Sequence, residues 1–384
     1  MFVGEGEGTD PAVPYEKLLA ADRIGVEPVS PDDLFTIAYT SGTTGKPKGA
    51  MLTHRNVHMS ASLTATVHVR TRGEVVLSAL PLPHVYGNAV MHTAFMCGLK
   101  FVVMDRFDAA QAIAAIQEHK VTLFEGVPTM YYYIMADPHL VGADLSSLRR
   151  CTVGGQTMPT AKIQAVEAAF GCPLLELWGM TEVAGPATSH SPYMPPRRGS
   201  IGLTFPGVEA RIADLDDETR NAPTGEAGEL VVRGAQVMQG YYRNERATTE
   251  ALSADGWLRT GDIARKDKDG YITIVDRRKD LIITAGYNVY PAELEQVIAE
   301  LSGVVMVAVA AVPDPLKGEL AKAFIVARDR DGLTEAMVLE HCRKRLASYK
   351  VPRMVEFVSD LPKTSTGKIT RKALRERKQM ASSL

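Results

Sequence analysis

Strand–helix alternation between residues 35 and 180 is the feature that most limits how this chain can fold. The best-marked helix is DAAQAIAAIQEHK, where Asp108 stands at the N-cap position and Lys120 in the last turn. Alternation of this kind predicts an α/β domain with a doubly wound, mostly parallel sheet that helices cover on both faces. The short apolar or β-branched runs that we assign to strands are LFTIAY, EVVLSAL, KFVVM, VTLFEG, RRCTVGG and PLLELWG.

The pattern changes twice after this region. From about residue 206 to residue 275, runs such as VEARIADL, GELVVRG and GYITIVDR predict antiparallel strands or a small β-barrel-like subdomain. After DRRKD, an amphipathic helix that opens with proline precedes two apolar strands and another helix, which predicts a small α+β domain. We therefore predict an N-terminal domain over residues 1–278, with the β-rich part inside it, and a C-terminal domain over residues 279–384.

Composition excludes several classes of protein. The 384 residues carry a formal charge of −2 and are 45% hydrophobic, as in a soluble globular protein and unlike a dedicated nucleic-acid binder. No apolar run has the length of a membrane span, which leaves peripheral membrane contact and oligomerisation open. The four cysteines are scattered and the N-terminus resembles no secretory signal, so we predict free thiols and a cytoplasmic protein.

The loop YTSGTTGKPKG has the composition of a phosphate-binding segment. Its glycines let backbone N–H groups converge on an anion, its hydroxyls donate further hydrogen bonds and its lysines add charge. It is not a Walker A loop, because Pro47 follows Lys46 where that motif needs Ser or Thr. The alternative is a flexible linker of similar composition. The residues that we assign to phosphate binding are Thr40, Ser41, Gly42, Thr43, Thr44, Gly45, Lys46 and Lys48.

This segment resembles the phosphate loop of the adenylate-forming superfamily, which includes acyl-CoA synthetases, firefly luciferases and peptide-synthetase adenylation domains. Further motifs of that superfamily occur in its order from Asp33 to Leu374, and several matches in fixed order are far more specific than any one of them. On these motifs the chain is identified as a member of the superfamily. The resemblance implies an AMP-binding domain, a mobile C-terminal domain, and the use of ATP, Mg²⁺ and, in the synthetases, CoA.

The motif ELWGMTE supplies the next candidate residues. The resemblance implies that Trp178 stacks on adenine, Thr181 contacts the α-phosphate and Glu182 holds Mg²⁺, with Gly179 and Met180 also at the nucleotide. A carboxylate oxygen at the end of a strand is a ligand suited to magnesium. Trp replaces the tyrosine found more often at this position, and the alternative is a tryptophan in the core followed by a surface glutamate.

Two further segments are placed by the resemblance beside the adenine and the acyl group. In VGGQTMP, Gly154 and Gly155 allow close approach of the backbone, and Gln156 follows them. In PLPHVYG, His84 takes the place of a residue beside the carboxylate and the acyl tunnel. The alternatives are a tight strand-to-helix turn and a structural histidine, respectively.

The segment GWLRTGDIARKDKDGYITIVDRRKD matches the ribose and hinge motifs. The resemblance assigns Asp262 to both ribose hydroxyls, Ile274 to the nucleotide site and Arg277 to ribose and phosphate. A carboxylate suits the first role because it can accept a hydrogen bond from each hydroxyl of a vicinal diol. Lys279 occupies the hinge position, about which the C-terminal domain rotates between the two half-reactions in the family.

The last two motifs concern the acceptor and the adenylation step. TAGYNVYPAELE resembles the segment that lines the pantetheine tunnel, with Gly286 and Tyr287 at that tunnel. Acyl-AMP ligases that serve carrier proteins carry an insertion near this junction, and none is visible here, which favours CoA. In LPKTSTGKITRKALR the resemblance assigns Lys368 to the adenylation site. The alternative is a solvated basic helix.

Together these motifs predict an ATP-dependent acyl-CoA synthetase. PLPHVYGNAVM contains no acid to pair with an amino-acid ammonium group, so we expect a hydrophobic acid, fatty acids foremost. The family has a further segment before the phosphate loop, whereas this chain reaches Thr40 almost at once. We therefore keep open a working synthetase, complete or truncated, a catalytically weak nucleotide-binding protein, and an acyl-AMP ligase with another acceptor.

Overall fold

The computed structural model describes residue 17 and residues 25–40, 47–328 and 332–381. Its largest sheet has seven strands in the order β4-β3-β5-β6-β7-β8-β9, and the strands from β4 to β7 are parallel. This confirms the doubly wound α/β prediction. Five of the six predicted runs form its parallel part, because residues buried on both faces give continuous apolar strands. The strands are β3 (Val75–Ser78), β4 (Lys100–Val103), β5 (Leu123–Gly126), β6 (Arg150–Val153), β7 (Leu174–Met180), β8 (Gly185–Ser189) and β9 (Leu203–Thr204).

Among the residues that the structure describes, five helices pack around this sheet. Asp108 caps the best-marked one through a 2.9 Å hydrogen bond from the Gln111 amide, as predicted. Lys120 lies just beyond its last turn as the C-cap, with a left-handed backbone (φ 50°). The helices are α1 (His54–Val67), α2 (Val85–Cys97), α3 (Ala109–His119), α4 (Pro128–Ala136) and α5 (Thr160–Phe170).

LFTIAY forms a strand as predicted, but the prediction that it belongs to the parallel sheet is wrong. This run forms β1 (Leu34–Thr40), which pairs antiparallel with β2 (Lys48–Thr53) in a separate three-stranded sheet with β12 (Gly240–Tyr241). The connection between β1 and β2 is too short for a parallel crossover, so the chain has to turn back as a hairpin. Thr53 then caps α1 in a capping box with Asn56.

The β-rich part is an antiparallel sheet in the order β10-β11-β13-β14. Its edge strands β10 and β14 do not pair with each other in the described part of the chain, so the sheet does not close into a barrel there. The elements are β10 (Glu209–Ala213), β11 (Gly228–Arg233), β13 (Leu258–Lys266) and β14 (Ile272–Arg277), with α6 (Glu245–Ala251) between β12 and β13.

A five-stranded sheet and three helices form the remainder. Buried residues of this sheet, including Met306, Ala308 and Phe324, pack into the same apolar cluster as Tyr131 and Ile163 of α4 and α5. The C-terminal sheet is therefore docked on the first domain by apolar contacts. The elements are β15 (Ile282–Thr284), β16 (Tyr287–Val289), α7 (Pro291–Ile298), β17 (Val304–Asp314), β18 (Gly318–Ala327), α8 (Glu335–Arg345), β19 (Met354–Phe357) and α9 (Arg371–Ala381).

Two predictions from composition can be checked here. All four cysteines are free, although the sulfur atoms of Cys151 and Cys172 lie 3.8 Å apart in the core. Within the described ranges, every helix is too short or too polar to cross a membrane.

Candidate active site

Lys368 lies against Gly155 although 213 residues separate them in the chain. A Cβ added at Gly155 would approach the Lys368 side chain to 2.8 Å at Cε and 3.4 Å at Nζ. The glycine, with φ 87°, is thus needed both for its backbone conformation and for the space that the lysine occupies. Burial, reinforced by the positive charge of Arg277, lowers the pKa of Lys368 to about 8. The two residues predicted from separate motifs therefore meet at one point.

Hydrogen bonds hold the loop around Lys368 in this position. Gln156 donates from Nε2 to the Ile369 carbonyl (2.9 Å) and accepts at Oε1 from the Ile369 amide (2.7 Å). Thr129 of α4 donates to the Gly367 carbonyl (2.8 Å). The residues on either side of Lys368 are thus hydrogen-bonded to α4 and to the segment after β6.

Trp178, Asp262 and Arg277 form a second group. The indole Nε1 of Trp178 donates to Asp262 Oδ2 at 2.7 Å, and Arg277 Nε lies 3.2 Å from Asp262 Oδ1. Asp262 and Arg277 face each other across β13 and β14, and Ile274 lies on the same strand as Arg277. The predicted adenine and ribose residues are therefore neighbours, and the Asp262 carboxylate is already oriented by two donors.

Glu182 is positioned by a residue that the sequence analysis missed. It lies in a short 3₁₀ helix directly after β7, and its Oε1 accepts a 2.7 Å hydrogen bond from the hydroxyl of Tyr241 on β12. Lys48 of β2 lies 5.1 Å from the centroid of the same tyrosine ring. Tyr241 thus links the predicted metal ligand to a predicted phosphate ligand.

The residues present fit magnesium held together with phosphates. No group of three or more His, Cys, Asp or Glu able to hold a metal occurs among the residues that the structure describes. Glu182 nevertheless offers a hydrogen-bonded carboxylate, and Mg²⁺ is commonly bound through one or two carboxylates plus the oxygens of a substrate phosphate.

Thr181 stands between Glu182 and the end of β7, at the turn that Gly179 makes possible. A Cβ at Gly179 would lie 2.0 Å from the Gly185 carbonyl oxygen, so a side chain there would displace β8. Met180 is the last residue of β7, and both it and Thr181 are partly exposed. The backbone thus presents Thr181 and Glu182 at the carboxyl end of a parallel strand, where ligands bind in open α/β sheets.

His84 caps α2, and its Nδ1 accepts the backbone N–H of Tyr86 at 3.3 Å. The ring proton therefore lies on Nε2. Burial and the nearby charge of Lys368 lower the pKa of His84 to about 4, so the imidazole is neutral around pH 7. The structure confirms the structural alternative, a helix cap, and the role beside the acid stays a prediction. The capping bond uses Nδ1 and not Nε2–H.

The predicted tunnel residues lie at an exposed hairpin. Ala285 and Gly286 form the two-residue turn between β15 and β16, both with positive φ (49° and 83°), as a type I′ turn requires. Gly286 faces open space, while Tyr287 is 58% exposed and stacks on Tyr349 with ring centroids 4.8 Å apart. Lys279 is exposed in the short 3₁₀ helix between β14 and β15. In this pose Lys368, and not Gly286, is at Gly155.

The structure describes only the two ends of the predicted phosphate loop. Ser41, Gly42, Thr43, Thr44, Gly45 and Lys46 lie outside the described residues. Thr40 and Lys48, the two phosphate-loop candidates that the structure describes, pair across the β1–β2 hairpin.

Gly154, the remaining candidate, directly follows β6. A Cβ built there would lie 2.3 Å from Leu177 and 3.3 Å from Tyr86, so a side chain at this position would collide with Leu177.

The comparisons with known proteins agree with this arrangement. The family model described as "AMP-binding enzyme" matches residues 5–242, and the one described as "AMP-binding enzyme C-terminal domain" matches residues 293–368. The chain belongs to the AMP-binding enzyme family.

Relatives of this AMP-binding enzyme include a long-chain-fatty-acid–CoA ligase from Bacillus subtilis, 39% identical over 90% of this chain and 62% of the relative. A feruloyl-CoA synthase from Amycolatopsis is 40% identical over 95% of this chain and 74% of the relative. The structure of o-succinylbenzoate CoA synthetase from Bacillus subtilis with ATP and a magnesium ion matches with a TM-score of 0.80 and 30% identity, over 94% of this chain and 74% of that one. The chain thus spans 62% of the length of several of its relatives.

Proposed function

We propose that this AMP-binding enzyme is an ATP-dependent acyl-CoA synthetase. It activates a carboxylic acid to an acyl-adenylate with release of pyrophosphate and then transfers the acyl group to CoA. The observation that carries the proposal is the position of Lys368 against Gly155, next to the residues expected at the nucleotide and the carboxylate. The names of the relatives, which are acyl-CoA ligases and synthases, support the same reaction.

The first half-reaction needs charge stabilisation more than proton transfer. A carboxylate oxygen of the acid attacks the α-phosphorus of ATP, and the bond from that phosphorus to the bridging oxygen breaks as pyrophosphate leaves. The Lys368 ammonium lies between carboxylate and α-phosphate, Thr181 donates to the phosphate, and His84 donates from Nε2 to the acid. Asp262 binds the ribose hydroxyls. Bound at Glu182 and the phosphates, Mg²⁺ would supply further neutralisation of phosphate charge.

The second half-reaction requires a different position of the C-terminal domain. Lys368 leaves, and the hairpin with Gly286 and Tyr287 turns about Lys279 toward the acyl-adenylate. The CoA thiolate then attacks the acyl carbonyl, a carbon–sulfur bond forms and AMP leaves. The division at residues 278 and 279 is part of this proposal, since it separates the stationary from the rotating body.

The acid has a hydrophobic body, and fatty acids are the first class to test. Val127, whose Cγ1 would lie 3.5 Å from a Cβ at Gly155, gives this side of the site an apolar surface. We propose that the enzyme works in the cytoplasm, because its four cysteines are free thiols, as is usual in a reducing compartment.

ATP–pyrophosphate exchange with a series of carboxylic acids tests the first half-reaction, and thioester formation with CoA tests the second. We expect both with the wild-type chain, and loss of exchange by at least ~100-fold in Lys368→Ala. Lys372→Ala, an exposed lysine on α9, is the matched control and should keep wild-type exchange.

The exchange and thioester assays distinguish the alternative functions. Exchange without thioester would make the protein an acyl-AMP ligase with a different acceptor. Binding of ATP without exchange for any acid would leave a nucleotide-binding protein and overturn the proposal.

A further inference from the structure

A buried ion pair that the proposed mechanism does not use lies beneath the active site. Arg70, just after α1, pairs through Nη2 with Oε1 of Glu125 on β5, and each side chain is only 1% exposed. Buried charges are costly to desolvate and are seldom retained without a partner or a role. This pair is therefore a candidate for a function of its own.

The ion pair continues into a polar network. Glu125 Oε2 accepts a 3.1 Å hydrogen bond from the Tyr86 hydroxyl and another from the Thr152 hydroxyl. The two hydroxyl oxygens of Tyr86 and Thr152 lie 2.8 Å apart. Four polar side chains from α2, β5, β6 and the segment after α1 thus meet at one point.

Two residues of this network, Glu125 and Thr152, each precede a residue beside the proposed reaction site by two positions. Side chains two residues apart face the same side of a strand, so Glu125 lies on the side of Val127, and Thr152 on the side of Gly154. Val127 lies against Gly155, with its Cγ1 3.5 Å from a Cβ built there. The Tyr86 ring lies against Gly154, 3.3 Å from a Cβ built there. Two residues of an extended strand span about 7 Å, so Thr152 lies about that far behind Gly154, the neighbour of Gly155.

Arg70 also has donors to spare. Its Nε and Nη1 are buried and have no hydrogen-bond partner among the described residues, while Nη2 also lies 3.3 Å from His68 Nδ1. Leaving a buried charged donor unpaired costs more than leaving a neutral one unpaired. An acceptor oxygen supplied by a ligand would satisfy these groups, whereas an alkyl chain would not.

We propose that Arg70 and Glu125 form the polar far end of the acyl pocket and set the enzyme's acid specificity. The preferred acid is compact, with an apolar body and a hydrogen-bonding oxygen at the end away from its carboxylate. A long unsubstituted chain would meet this buried ion pair behind Gly154. This inference rests on the proposed function and narrows its substrate class.

Matched acids test the inference on the intact chain. Pyrophosphate exchange is measured with straight-chain acids of increasing length, with their ω-hydroxy counterparts, and with aromatic acids with and without a para-hydroxyl group. We expect kcat/KM to favour the hydroxylated member of compact pairs by on the order of 100-fold, because a site built to hydrogen-bond a hydroxyl discriminates against the analogue that lacks it. Acids as long as palmitate should be poor substrates.

The double variant Arg70→Met/Glu125→Leu removes both charges and is the decisive protein. Replacing a buried ion pair by apolar residues of similar volume is often tolerated, and Tyr86 and Thr152 can still bond to each other. We expect it to fold and to lose the preference for hydroxylated acids to within about 3-fold. The control is Glu74→Leu/Arg150→Met, a second buried pair (2.5 Å) further from the reacting centre, which should keep the wild-type preference.

The outcomes separate the inference from the function on which it rests. Wild-type preference for long unsubstituted acids, unchanged in the double variant, would overturn the inference and leave the synthetase intact. An equal loss of preference in both double variants would also overturn it, since the effect would then be general to the core. Exchange with no acid at all would overturn the proposed function and the inference with it.

Discussion

Gln156 binds both backbone polar groups of Ile369, at 2.9 and 2.7 Å, across an interval of 213 residues. Ile369 directly follows Lys368, so this pair helps to hold the lysine at Gly155, together with the Thr129 bond to Gly367. Gln156 belongs to the first domain and Ile369 to the part that we propose to rotate. The two hydrogen bonds therefore stabilise the observed position of the C-terminal domain, and the proposed rotation requires that they break.

Gln156→Ala should slow adenylation and spare thioester formation. Two hydrogen bonds contribute about 1–3 kcal/mol to the docked position, which corresponds to a loss on the order of 10–100-fold. Pyrophosphate exchange measures the first half-reaction, and CoA consumption with chemically supplied acyl-adenylate measures the second. Tyr133→Phe, which removes a 3.1 Å bond to the exposed Asp360, is the control and should change exchange by less than about 3-fold. Equal losses in both half-reactions would contradict the assignment.

The parallel strands could be predicted from the sequence because they are apolar on both faces. The motif residues could be predicted because each motif lies within one short stretch of the chain. Arrangements that join distant segments could not. LFTIAY has the composition of a buried strand, and only the short connection to β2 reveals that it pairs in another sheet. Tyr241 gives no local signal, since its partner Glu182 is 59 residues away.

One missed feature did leave a trace in the sequence. Glu125 stands inside VTLFEG, a run otherwise typical of a strand buried on both faces, where a carboxylate is rare. That position indicates a buried partner or a functional site. The identity of the partner, Arg70, comes only from the fold, which brings the segment after α1 beneath β5.

The lowered pKa of Lys368 predicts a pH dependence for adenylation. In the proposed mechanism the lysine acts as an ammonium, and with a pKa of about 8 it loses its proton as the pH rises through this value. We therefore expect kcat/KM for ATP in the exchange reaction to be constant below this pH and to fall up to 10-fold per unit above it. Lys368→Arg keeps its positive charge over this pH range. We expect its kcat/KM for ATP to be lower than that of the wild type and independent of pH. A wild-type decline that persists unchanged in Lys368→Arg would assign the titration to another group.

Tyr241→Phe tests whether the Glu182 carboxylate is oriented for a metal. Removing the hydroxyl deletes its 2.7 Å bond to Glu182 and leaves the packing of the ring intact. Because partners that orient a metal ligand typically contribute 10–100-fold to metal affinity, we expect the Mg²⁺ concentration for half-maximal exchange to rise about 10-fold. Tyr242→Phe, at the neighbouring and more exposed tyrosine, should leave this concentration unchanged. An unchanged Mg²⁺ requirement in Tyr241→Phe would argue against Glu182 as the ligand.

Glu176, in the same motif as Glu182, should respond to pH through stability. Its side chain is buried, and Oε2 accepts the Gly199 backbone N–H at 2.9 Å. Burial, aided by the charge of Glu167, raises the pKa of Glu176 to about 8, so the folded protein favours the protonated carboxyl. A raised carboxyl pKa means that the folded state binds more protons than the unfolded state. Its contribution to stability is therefore lost as the pH rises from the ordinary range of a carboxyl group toward 8.

Glu176→Gln removes this dependence because the amide is neutral at every pH and its oxygen can still accept the Gly199 N–H. We expect the variant to exceed the wild type in free energy of unfolding by about 1–3 kcal/mol at pH 8, and the gain to shrink toward pH 5. Thermal unfolding of both proteins at the two pH values measures the difference. The control is Glu250→Gln on the surface of α6, whose ion pair with Arg246 is exposed and should give no such gain. A gain of equal size at pH 5 and pH 8 would show that the amide acts through packing, because only an ionised Glu176 makes the difference depend on pH.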